Sequence, residues 1–199
     1  MNVRLIKTWQ WQSGLVYDDT FYINSYSVAT HMHTTTMHDH DHDVAYGRME
    51  HWFQEVMQDS VMISADCAVA KAYAATGQRL LIFPDQPVDQ LVGIMLCVKL
   101  NSITEGRLII TDVDLSSVHG ADMLYQHNHA EAQGALSAAG WWRDAGPIWH
   151  DRTVPSRSAK VVKLRGVADW NSLDLDWQSD KRSTDSAIVF GDFDRDADK

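Results

Sequence analysis

Hydrophobic and polar positions alternate along the start of this chain and then change period. Residues 2–11 alternate and are rich in Val, Leu, Ile and Trp, which predicts a strand. Residues 15–33 carry many β-branched and aromatic side chains and predict a second strand. Ser13-Gly14 between the two runs predicts the turn of an N-terminal β-hairpin. From Asp43 the apolar positions Ala45, Met49, Trp52, Phe53 and Val56 recur at three- and four-residue spacing. That period predicts an amphipathic helix of about 15 residues. Asp41 and Asp43 are placed as N-cap or first-turn acids of that helix.

Further along, residues 61–64 predict a short strand, and the Ala-rich stretch 66–76 predicts a helix ending at Gly77. Arg79–Phe83 reads as a buried strand, broken by Pro84 and Pro87. Residues 88–101 then form a nearly all-apolar run that predicts a buried helix, and Leu108–Leu115 predicts another strand. Strand, buried helix and strand suggest a crossover unit with parallel strands. Residues 160–167 and 186–190 are candidate late strands, and 190–199 is an acidic tail expected to fray. The pattern predicts an α+β fold: a single compact domain over residues 1–199. It combines a mixed sheet, the N-terminal hairpin, the amphipathic helix and the strand–helix–strand crossover unit.

Composition narrows what such a domain does. Forty-five per cent apolar residues, with eight tryptophans, are enough for a sizeable core. A net charge of −10 argues against general nucleic-acid binding, which runs on Lys and Arg against phosphate. It favours cation binding or basic partners. The two cysteines, Cys67 and Cys97, form no CxxC, and Cys97 lies in an apolar run, so a disulfide framework is not indicated. No run approaches the ~18 apolar residues of a membrane span. A cytoplasmic protein without membrane contact is expected, or a virion-associated one if the source is viral.

The strongest local signal is histidine. Six of the ten histidines fall between His31 and His51, and residues 31–43 read HMHTTTMHDHDHD. Imidazole is the commonest transition-metal ligand. In an extended backbone His31 and His33 share one face, and His38, His40 and His42 share another, with Asp39, Asp41 and Asp43 opposite. A turn at Thr34–Thr36 would bring the two rows together. On this reading His31, His33, His38, His40 and His42 hold a divalent metal, zinc first, with aspartates orienting the rings. The alternative is a solvated loop leading into a helix.

Asp112 and Asp114 lie near the end of a predicted buried strand, on one face. A carboxylate pair there suits a divalent cation, or the roles of nucleophile and general acid. The strings LIITDVDLSS and IVFGDFDRD resemble the first and last acidic motifs of haloacid-dehalogenase-like phosphatases. Leu115 stands where that first motif has glycine, and 111 residues precede a motif that normally opens its domain. Two functions follow. One is a His-rich metal-binding protein, extending to a metal-dependent hydrolase with Asp112 and Asp114 as catalytic groups. The other is a non-enzymatic acidic binding or assembly protein: an inhibitor, an adaptor or a virion component with a protein partner or a second copy of itself.

Overall fold

A computed structural model describes residues 4–75, 78–131, 136, 140–147 and 169–178. The candidate strands at 160–167 and 186–190, the acidic tail and the IVFGDFDRD string lie outside the described residues.

The alternating N-terminal pattern folds as a long hairpin. Strand β1 spans Arg4–Tyr17 and β2 spans Thr20–Thr34, in continuous antiparallel register from Arg4↔His33 to Tyr17↔Thr20. The turn is at Asp18-Asp19, not at Ser13-Gly14. Both aspartates adopt left-handed backbone (φ 48° and 55°), the mirror-type turn whose twist matches paired strands. Ser13 and Gly14 continue β1. Gly14 leaves room for the Phe21 ring, since a Cβ there would lie 2.5 Å from Phe21 Cε2.

Helix α1 spans Asp39–His51 and continues as a π-helical segment, Trp52–Met57. It starts four residues before the expected Asp43, so the His/Asp run is helical rather than extended. His38 is the N-cap, and Asp39 and Asp41 occupy the first turn, where acids favour the helix dipole. Strand β3 (Val61–Ser64), the short helix α2 (Ala70–Ala75) and strand β4 (Leu80–Phe83) follow, then helix α3 (Asp89–Thr104), strand β5 (Leu108–Ser117) and strand β6 (Tyr125–Asn128).

The fold is α+β, with one mixed sheet in the order β4-β3-β1-β2-β5-β6. β3 runs parallel to β1 and to β4, while β2 runs antiparallel to both β1 and β5. Hence β4 and β5 point the same way, as a crossover through α3 requires, but three strands separate them.

Side-chain period two then sorts the sheet. Trp9, Trp11 and Leu15 of β1, with Tyr26, Val28 and Met32 of β2, face α1, the π-helical segment and α3. Trp9 stacks on Phe53 at 4.8 Å and Trp11 on Tyr26 at 4.9 Å. α3 is buried along almost its whole length. On the opposite face, Val16, Val61, Ile63 and Leu80 form a smaller cluster with Tyr73 of α2. The rest of that face, over β1, β2, β5 and β6, carries mostly polar side chains, with Ile6 and Ile23 exposed among them.

Candidate functional site: a polar cleft on the open sheet face

The open face of β1, β2, β5 and β6 brings polar and charged residues from four strands into one cleft of about 260 Å³. Register places His31 of β2 opposite Asp112 of β5, and Asp112 opposite Asn128 of β6. A bulge between His31 and Met32 inserts Thr111, which keeps Ile110 in the core while Asp112 faces outward.

The groups form one connected network. An Arg4 guanidinium nitrogen lies 3.0 Å from His31 Nδ1 and donates to Asp112 Oδ2 at 3.2 Å. His31 Nε2 lies 2.8 Å from Asp114 Oδ2. Arginine has no acceptor, so Nδ1 accepts from Arg4, and Nε2 carries the proton it donates to Asp114. The pairings orient the His31 ring between Arg4 and Asp114. Asn128 Nδ2 donates to Asp112 Oδ1 at 2.6 Å, and Gln126 Nε2 donates to Asp114 Oδ1 at 3.2 Å. Burial alone raises the Asp112 carboxyl. The Thr111 hydroxyl, the Asn128 amide, and the Arg4 and His31 charges outweigh it and hold the group below the ordinary carboxylate range.

Three of the expected site residues therefore meet here: His31, Asp112 and Asp114. His33 shares the β2 face, opposite Arg4, but does not line the cleft. His38, His40 and His42 sit at the start of α1 instead. Helical rotation of about 100° per residue turns His40 roughly 160° away from His38 and His42, which lie one turn apart. His40 is exposed, while His42 packs edge-on against Tyr46 at 4.8 Å. Asp41 is buried and accepts the Gln178 backbone N–H at 2.9 Å. His31 and His33 share a face of β2 as expected, but His38, His40 and His42 form no row, because that segment is helical. Among the described residues, no group of three or more His, Cys, Asp or Glu is arranged to hold a metal ion.

No family model matches this sequence, and no curated protein matches it. Among solved structures the chain is similar to the uncharacterized protein WS1659 from Wolinella succinogenes. The identity is 10%, the TM-score is 0.49, and the match covers 65% of this chain and 99% of that one.

Sequence reasoning missed Arg4, Gln126 and Asn128. Arg4 lies 108 residues from Asp112, so only strand register joins them. Asn128 stands between the histidines of HNH and faces the cleft, whereas His127 is buried. Burial pushes the His127 ring below its ordinary pKa, against the charge of Glu131.

Among the described helices, none is long and apolar enough to cross a membrane.

Proposed function

We propose that this chain is a non-enzymatic binding or assembly protein, and that it docks by adding a strand along the outer edge of β1. The observation that carries this reading is the ladder of β1. On one side it pairs with β2 from end to end. On the other, among the described residues, it pairs with β3 only at Gly14 and Leu15. Backbone groups of even-numbered residues face this outer side. The Gly14 N–H donates to Ser60, Gln12 accepts from the Asp59 N–H, and the Gln12 N–H donates to Gln58 Oε1. The same phase turns Arg4, Ile6, Thr8 and Gln10 outward with no ladder partner among the described residues. An edge of roughly 20 Å, at ~3.3 Å per residue, that has no partner among the described residues is a template for an added strand. Ile6, 60% exposed, supplies an apolar contact on that edge. The first occupant proposed is a second copy of the chain.

Light scattering on the eluting protein tests this. The wild type is expected to exceed its chain mass of 22.5 kDa. Thr8→Pro removes one outward N–H without touching the β1–β2 ladder and is expected to return the monomer. A monomeric wild type at the highest soluble concentration, or an oligomer unaffected by Thr8→Pro, would contradict the reading. The proposal sets the protein in the cytoplasm, a compartment with which its two free cysteines are compatible.

A second reading, divalent-metal binding, is favoured by one observation in the cleft. A single Arg4 nitrogen stands within hydrogen-bond reach of both His31 Nδ1 and Asp112 Oδ2. That position suits a cation, zinc first, with Asp114 behind the imidazole as its orienting carboxylate. Calorimetric zinc titration of Arg4→Gln checks it. Binding that His31→Ala and Asp112→Asn abolish is expected; binding that survives them, or no binding, would remove this reading.

A further inference from the structure

At the turn end of the hairpin, a cavity of about 300 Å³ opens between β1, the start of α3 and the loop after β5. Its walls include Tyr17, Val88, Asp89, His119, Gly120 and Tyr125. The His119 ring centroid lies 5.4 Å from that of Tyr17 and 4.7 Å from that of Tyr22. The loop is held in place from below. The His119 N–H donates to Oδ1 of the fully buried Asn24 at 2.9 Å, and the Gly120 N–H donates to Ser117 Oγ at 3.0 Å. Gly120 is also the wall against which Asp89 rests, since a Cβ there would lie 2.2 Å from Asp89 Oδ2.

The described lining of this cavity carries one carboxylate, Asp89, and one ring base, His119. The Asp89 carboxylate receives the Ser117 hydroxyl, 2.8 Å from both of its oxygens. One hydroxyl supplies one proton, which leaves most of the acceptor sites of a carboxylate unused. Asp89 is the first residue of α3, where the helix end contributes roughly half a positive charge, less than the carboxylate's full negative one. No Lys or Arg is among the lining residues, and aromatic ring faces add further negative potential. Burial raises the Asp89 carboxyl, opposed by the Ser117 hydrogen bond and by His119.

We propose that this cavity binds an organic cation, an ammonium carrying an alkyl shell, between the rings of Tyr17, His119 and Tyr125 and the Asp89 carboxylate. The apolar shell of a quaternary ammonium meets the rings and Val88, and its diffuse charge needs no hydrogen-bond donor. The same chemistry is presented by a free quaternary amine and by a trimethylated lysine on a protein.

Isothermal titration with choline, with its neutral isostere 3,3-dimethylbutanol, and with a short trimethyl-lysine peptide tests the proposal. Choline is expected to bind at least about tenfold more tightly than the neutral isostere, which has the same shape without the charge. Asp89→Asn and Tyr17→Leu are each expected to weaken choline binding by about tenfold. If Asp89→Asn fails to fold, Tyr17→Leu, which keeps an apolar side chain at that position, carries the comparison. Tighter binding of the peptide than of choline would support the proposal with a protein-borne ligand. Choline equal or tighter would support it with a free one. Equal binding of choline and the isostere, no binding of either cation, or a folded Asp89→Asn that binds as wild type would overturn it.

Discussion

Lys99 is the residue whose placement departs furthest from its chemistry. It lies on α3 at 1% exposure, and its amine donates to the backbone carbonyls of Trp141, Asp144 and Gly146. An aliphatic side chain would fill the space; the ammonium instead ties the 141–146 segment to the helix. Burial lowers the Lys99 pKa to about 8, opposed by Asp144. In the unfolded chain the amine keeps its proton to about 10.5. Above pH 8 the unfolded state therefore binds more protons than the folded one, and stability rises with pH. Cys97 works the other way. Burial pushes its thiol up to about 12 from 9.0, so above pH 9 the unfolded state releases a proton that the folded state keeps. The clean window for Lys99 is thus pH 8 to 9. Denaturant unfolding across it is expected to show a gain of up to about 1.4 kcal/mol per pH unit. Lys99→Met removes that gain. A flat wild-type profile, or the same rise in Lys99→Met, would show that the amine titrates normally.

Elements were legible where apolar residues set the period. The run at 88–101 and the flanking apolar strands carry enough burial to fix their type, and they appear as β4, α3 and β5 within a few residues. The His/Asp run was not legible in this way. Its alternation is of two polar residue types, which carries no information about a buried face, so period two there does not imply a strand. The start of α1 is instead set by Val44, Ala45, Arg48 and Met49, whose buried faces repeat at helical spacing. The turn was misplaced for a related reason. Ser13-Gly14 has turn composition, but Gly14 is there to admit the Phe21 ring, and the turn falls on two aspartates that tolerate left-handed backbone. In the cleft, Asp112 and Asp114 were legible as a same-face pair from their spacing. Their partners Arg4 and His31 depend on the register of three strands and one bulge, which no local pattern encodes.

At the scale of the whole molecule, α1, its π-helical extension and α3 cover one face of the sheet, α2 packs on the other, and among the described residues the ladder of β1 ends early on its outer side. The cleft network is internally satisfied, with each carboxylate held by partners from neighbouring strands, so its geometry serves a fixed polar surface as it stands. Among the described residues, the outward backbone groups of Arg4, Ile6, Thr8 and Gln10 have no ladder partner. Amide hydrogen exchange, read residue by residue at low and high protein concentration, tests their role most directly. Amides of Leu5, Lys7 and Trp9 face β2 and are expected to be protected at both concentrations. Amides of Ile6, Thr8 and Gln10 are expected to exchange freely when dilute and to become protected as the protein associates. Free exchange of Ile6, Thr8 and Gln10 at every concentration would contradict docking along the β1 edge.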